Sequence, residues 1–234
     1  MIDLSRAAVE REIMDTEACS QTELNEALGF LKITNRFFGG RRVILRNLQV
    51  FSKNWGRDEE IRILDVGCGL GDLDIAILNW AERRNFKVRI TGLEMISQIA
   101  ETAKDQTRGI PQIEILQADI LNFTPVQPFD YVIASLFLHH IPPSQQVAAL
   151  KKLDQIAVRG MILSDLERTW AGLLAVKALA YLAGNRIVRH DGPLSVRRAF
   201  RPEELRALAR AAGLNYLKAE KECFFRLSLA GEKI

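Results

Sequence analysis

Residues 61–74 read IRILDVGCGLGDLD, and the fold turns on this stretch. Ile61, Ile63, Leu64 and Val66 form an apolar, largely β-branched run, the composition of a buried strand. Asp65 lies near its end. Glycines then follow at alternate positions, Gly67, Gly69 and Gly71, with Cys68 inside the loop as a small, slightly apolar filler. An apolar helical pattern begins directly afterwards. A strand, a tight glycine turn and a helix start in that order let a ligand touch backbone. Glycine permits positive φ and close approach, and a helix N-terminus adds unpaired N–H groups.

The spacing selects among ligands. A dinucleotide site sets a pyrophosphate on such a turn, usually with GxGxxG spacing. Here the spacing is GxGxG, and Asp65 stands two residues before the first glycine. A carboxylate there opposes a pyrophosphate and suits the ammonium of a methionine moiety. The loop therefore reads as a site for S-adenosylmethionine, whose carboxylate can use the backbone N–H groups. Further along, VRITGLE (residues 88–94) reads as the next strand and ends at Glu94. An acid at that distance can accept from both ribose hydroxyls. IEILQADILNF (residues 113–123) brings Asp119 to a third strand end, placed for an adenine amino group with Ile120 against the ring. PFDYVIASLFLHHIPP (residues 128–143) is an apolar strand through Ser135 that runs into His139, His140 and two prolines.

The ordered set LDVGCGLGD, TGLE, QADI and FDYVIASLFLHHI resembles the motifs of class I S-adenosylmethionine-dependent methyltransferases over about residues 60–165. The resemblance implies an α/β fold: a Rossmann-like, seven-stranded, mostly parallel sheet with helices on both faces. It implies a cofactor at the strand C-termini, with Asp65, Gly67, Cys68, Gly69 and Gly71 at the methionine end. Glu94 would hold the ribose, Met95 would flank the adenine, Asp119 and Ile120 would hold it, and Ser135 would border the site.

Composition sets outer bounds. The 234 residues suit one α/β domain with additions, and 48% hydrophobic content is ample for a packed core. A net charge of +3 is too small to argue for nucleic acid, and no aromatic-basic motif or appended module adds to it. Cys19, Cys68 and Cys223 lie far apart and form no metal or redox spacing, so no metal is expected and the chain reads as cytoplasmic and reduced. The start, MIDLSRAAVEREIMD, is charged and has no signal-peptide core. The longest apolar stretch, residues 170–183, contains Lys177 and falls short of the ~20 residues that span a bilayer.

Three zones follow. Residues 1–57 read as a helical cap, with Leu24, Leu28, Leu31 and Ile33 near helical spacing, a break at residues 35–40, and a second helix from Arg41 to Phe51. Residues 58–234 read as the main domain, with strand and helix alternating through residue 165 and two more strands near the end. An insertion at residues 166–200 interrupts it after the fifth strand, holding the apolar run WAGLLAVKALAYLAG and then an arginine cluster. That cluster is Arg186, Arg189, Arg197, Arg198 and Arg201. Such an insertion sits at the ligand-binding edge of an open sheet. With the cap it forms the natural walls of a substrate pocket. Its apolar face suits an apolar substrate, peripheral contact with a membrane surface, or a second subunit, so both monomer and homodimer remain open.

ITNRFFGGRR, LHHI and HDGPLSVRRAF look similar to a bacterial methyltransferase group whose members accompany type III polyketide synthases. This resemblance implies secondary metabolism and O-methylation of a phenolic or enolic hydroxyl on a small apolar, polyketide-type substrate. Phe38, Arg197 and Arg198 are the residues expected on the substrate side. A phenol ionises near pH ~10, so a positioned base would help, and histidine is the usual choice. Of the three histidines, His140 is expected to face the substrate and His139 to be structural, with His190 beside Asp191 as the alternative base. Competing readings are C-methylation of a quinone or lipid, and a non-catalytic cofactor-binding subunit of a biosynthetic complex.

Overall fold

A computed structural model describes residues 3–16, 20–37 and 39–233. The apolar runs pair as central strands. β1 (Glu60–Val66) lies between β2 (Lys87–Glu94) and β4 (Phe129–Ser135), parallel to both. Glu60 and Arg62 reach solvent at its start, and from Ile63 on every residue is buried, as in a strand covered on both faces. β3 (Ile113–Gln117) and β5 (Ala157–Leu166) extend the parallel sheet at either side. β7 (Arg226–Glu232) then inserts antiparallel between β5 and β6 (Lys218–Glu222). The resulting order is β3-β2-β1-β4-β5-β7-β6, the expected seven-stranded, mostly parallel α/β sheet.

Two cores flank the sheet. On one face Leu64, Val66, Val132 and Leu163 meet α5 (Gln146–Ile156) and α8 (Pro202–Ala211) through Leu150, Leu153, Leu205 and Ala209. On the other, Ile61, Ile63, Ile90 and Tyr131 meet α2 (Gly40–Phe51), α3 (Asp72–Glu82) and α4 (Ser97–Thr107). The expected boundary at residue 57 therefore does not separate two cores. Ile44, Leu48 and Phe51 of α2 are packed into the sheet-facing core itself. Only α1 (Gln21–Phe37) and the chain before it lie over the strand ends.

The insertion is a helical hairpin. It leaves and returns at one place, where Glu167 and Phe200 bridge. The Thr169 hydroxyl accepts the Gly172 N–H at the start of α6 (Trp170–Ala183). Gly184 reverses the chain, and the Asn185 side chain accepts the N–H groups of Ile187 and Val188 to start α7 (Arg186–Arg198). Such caps satisfy donors that the first helical turn cannot. Residues 3–16 are strapped across this hairpin. Leu4 is buried with Leu173 and Val196, Arg168 and Arg201 donate to its carbonyl, and Ala8 N–H donates to the Arg197 carbonyl. Among the described residues no helix is long and apolar enough to cross a membrane.

Candidate active site

The glycine loop adopts the conformation its composition permits. Gly67, Gly69 and Gly71 have φ of 70°, 56° and 73°, in the left-handed region that side chains disfavour. The loop latches onto β2: Gly67 and Cys68 N–H both donate to the Leu93 carbonyl (2.8 and 3.1 Å), and Gly69 N–H donates to Glu94 (3.2 Å). These N–H groups, expected to face a cofactor carboxylate, are thus used by the protein itself. Positive charge comes instead from Lys32 and Arg41, which line the same cavity. Both sit near Asp72, whose carboxyl is raised by burial and pulled back by these two cations. A Cβ built on Gly69 meets no protein atom within 4 Å, so its open side faces free space.

Behind the loop, Asp65 and Asp74 are buried side by side; the two carboxyls hydrogen-bond to each other, and no other protein donor reaches their four oxygens. Burial and the adjoining carboxyl push Asp65 well above its ordinary range. Burial, with the Asp72 charge adding to it, pushes Asp74 up to about 7 against a hydrogen bond from Asp65 that draws it down. Two such groups cannot both ionise unless a cation arrives. This is an observation that fits an ammonium at the methionine end. Glu94 ends β2 and is also raised by burial, although Ile96 N–H (3.0 Å) and Gly69 N–H support its anion. Asp119 lines the cavity while accepting from Leu121 N–H (3.0 Å) and Asn122 (2.9 Å), so it holds its own turn. Ile120 is buried beside it, Met95 stands at the rim, and Ser135 borders the cavity at the end of β4. Burial raises the Cys68 thiol, which packs inward.

Past β4 the chain turns through Leu136, a non-glycine residue at φ 56°, into a short helical turn over Leu138–His140. His139 is fixed there twice by Asp165: its N–H donates to Oδ2 (3.1 Å), and ring Nδ1 lies 2.6 Å from Oδ1. Burial alone would raise the Asp165 carboxyl. The His139 ring and the donors on Leu166 and His139 outweigh it and leave the carboxyl below its ordinary value. His140 is 30% exposed, lines the cavity and packs on His139 with ring centroids 4.2 Å apart. The N-terminal strap delivers Glu12 to the pair, 3.7 Å from His139 Nε2 and 4.0 Å from His140 Nε2.

The arginine cluster is distributed among structural partners. Arg198 is buried and donates to the carbonyls of His139 (3.1 Å) and His140 (3.0 Å), so it holds the histidine turn. Arg197 pairs with Glu10 and does not line the cavity, which corrects its expected place on the substrate side. Arg186 pairs with Glu23, Arg189 caps the Tyr181 carbonyl, and Arg201 holds Leu4. His190 does contact Asp191 (2.7 Å), but its ring is 51% exposed and outside the cavity. Asp191 instead anchors the strap by accepting from Ile13 and Met14 N–H (2.8 and 3.0 Å). Phe38 lies outside the described residues.

All of this opens on one cavity of about 840 Å³, at the upper end of the ~300–1,000 Å³ common for ligand sites. Polar groups reach it from the strand ends and also from the strap, α1, α2 and α7, through Glu12, Lys32, Arg41, Asp191 and Arg198. Apolar wall comes from Leu28 and Phe30 of α1, Val176 and Leu179 of α6, and Ile187 and Val188 of α7. Two further aromatics, Phe224 and Phe225, come from the β6–β7 turn with φ of 60° and 56°. Arg226 beside them is fully buried. Burial draws it down to about 10 against the pull of Asp165, and Gly40 leaves room for its guanidinium.

A parallel sheet with a glycine loop and acids at three strand ends defines a Rossmann-like nucleoside site. The family described as methyltransferase domain matches residues 63–160. The chain is 32% identical over 117 residues to a carboxy-S-adenosyl-L-methionine synthase of Psychrobacter sp., covering 47% of this chain and 42% of that protein. It is 29% identical over 107 residues to a demethylmenaquinone methyltransferase of Staphylococcus epidermidis, covering 45% and 42%. The chain thus spans less than half the length of these curated relatives. In fold it is similar to a magnesium protoporphyrin IX methyltransferase of Synechocystis PCC 6803 with bound SAH, at TM-score 0.56 and 19% identity over 84% of each chain. Over residues 63–160 the chain is thus similar to methyltransferase domains, and its fold is similar to that of methyltransferases of known structure.

Proposed function

We propose that this protein is an S-adenosylmethionine-dependent methyltransferase that methylates a phenolic or enolic oxygen on a small, largely apolar acceptor of polyketide type. The observation that carries this reading is the single cavity. The glycine loop, Glu94 and the Glu12–His139–His140 group all line it, and α1, α6 and α7 add apolar side chains to the wall. The cofactor supplies an electrophilic methyl on a sulfonium. Asp65 and Arg41 hold its methionine end, Glu94 its ribose, and Asp119 with Ile120 its adenine.

The protein's own contribution is placement and proton handling. The cavity walls hold the acceptor with its oxygen toward the strand ends, since alignment supplies much of the rate in such displacements. His140 Nε2 takes the hydroxyl proton, with Glu12 stabilising the resulting imidazolium. Asp165 and Arg198 fix the turn that carries it. The strap and the α6–α7 hairpin exclude water.

A second reading, C-methylation of a quinone, is favoured by the demethylmenaquinone methyltransferase relatives. Incubation with [methyl-13C]cofactor and a panel of alkylresorcinols, alkylpyrones and reduced quinones separates the two. A methyl carbon bonded to oxygen in product NMR supports the first reading, and one bonded to ring carbon supports the second. Intact cofactor binding with no turnover on any acceptor would favour a non-catalytic subunit.

A further inference from the structure

We propose that Glu12, His139 and His140 form a binding site for one divalent metal ion of the zinc class, open on its cavity side. Their ligand atoms all lie within 4.8 Å of one another. Glu12 Oε1 is 3.7 Å from His139 Nε2, and Oε2 is 4.0 Å from His140 Nε2. Two bonds of ~2.1 Å at a tetrahedral angle set ligand atoms about 3.4 Å apart, so the three groups, which lie within 4.8 Å of one another, must draw together by up to about an ångström to share one ion.

The second observation is the buried ring nitrogen. His139 Nε2 is buried and has no hydrogen-bond partner. Asp165 engages Nδ1 at 2.6 Å, and a proton on Nδ1 leaves the Nε2 lone pair aimed at the cluster. A carboxylate on the far nitrogen is the outer support that metal-binding histidines carry. Without an electrophile, that lone pair is buried and unsatisfied. Glu12 has its own outer support, accepting the Ser195 hydroxyl at 2.9 Å.

Two histidines and one carboxylate leave a fourth position for a small oxygen donor. It opens toward the cavity, where His140 is exposed. The charges around the site are mixed. Arg198 Nη1 stands 4.0 Å from Glu12 Oε1, and Arg226 faces Asp165. An ion would therefore compete with Arg198 for Glu12. This inference rests on the O-methylation reading and deepens it: with the ion bound, His140 Nε2 is a ligand and no longer the base, and a hydroxyl at the ion's open position is ionised by the ion, its proton leaving to water. The binding test is independent of turnover.

Chelator-stripped full-length protein would be titrated with Co2+, following visible absorption and then displacement by Zn2+, for the wild type, Glu12→Gln and His140→Ala. The expected result is one equivalent of Co2+ with the strong visible band of a four- or five-coordinate ion, displaced by Zn2+. Each variant would lose at least ~10-fold in affinity while keeping a cooperative melt. Zn2+ would raise the melting temperature of the wild type and not of Glu12→Gln. Cobalt spectra that are absent, or identical in wild type and variants, would overturn the site and leave the cluster as an ion-pair network. Metal binding without any O-methyl product would instead overturn the acceptor reading and leave the metal site standing.

Discussion

At the scale of single residues, the site depends on groups held away from their ordinary protonation. Asp65 and Asp74 are raised in the folded protein, Asp74 to about 7 from an ordinary 3.8. A carboxyl raised on folding favours the fold while protonated. That contribution is full below the ordinary value and is lost as pH climbs through the raised one. The ligand-free protein is therefore expected to lose melting temperature between about pH 4 and pH 7. In the proposed placement S-adenosylhomocysteine brings its ammonium to this pair, so its affinity is expected to rise over the same interval. Calorimetry in buffers of different ionisation enthalpy should show proton release below pH 7; uptake or no change contradicts the assignment. Arg41→Gln is expected to weaken S-adenosylhomocysteine on the order of 10-fold, read by the same titration. His140→Ala is expected to lower kcat on the order of 100-fold, whereas His190→Ala should stay within about twofold. Asp65, Gly67, Gly69 and Glu94 were legible as a group because their spacing is local, and all four line the cavity, whereas Gly71 caps α3 and does not. Glu12 was not legible, since its partners lie more than a hundred positions away and no spacing rule spans that distance. Arg198 was read for its charge, but burial and two carbonyl acceptors decide its role.

At the scale of elements, strands and helices followed from apolar periodicity, and the insertion stood out as residues a plain βαβ succession does not need. The β6–β7 turn could not be read that way. A hairpin tip normally carries glycine or asparagine where φ is positive. Here Phe224 and Phe225 occupy such positions, at about 1–2 kcal/mol each for a left-handed side-chain-bearing residue. The sequence signal was available in ECFFRL, two aromatics where turn chemistry was expected. The strain places aromatic surface on the cavity wall. Phe224→Asn is therefore expected to raise stability by about 1 kcal/mol in urea unfolding while raising the acceptor KM severalfold. A loss of stability with unchanged KM would count against that role.

At the scale of the whole molecule, the cavity at the strand ends is covered by parts distant in sequence. The strap of residues 3–16 reaches the site only because Asp191, Arg168, Arg201 and the Arg197 carbonyl tie it to the insertion. Asp191→Ala is expected to make the strap accessible to limited proteolysis and to lower kcat/KM for the acceptor on the order of 10-fold or more, since it carries Glu12. The central claim is that this closed cavity passes a methyl group to an acceptor oxygen beside His140. The most direct measurement is product NMR after incubation of the purified protein with [methyl-13C]S-adenosylmethionine and an alkylated phenol or enol. The account predicts a new oxygen-bound methyl carbon that is lost with His140→Ala. A methyl on ring carbon, or undiminished oxygen methylation by His140→Ala, would contradict it.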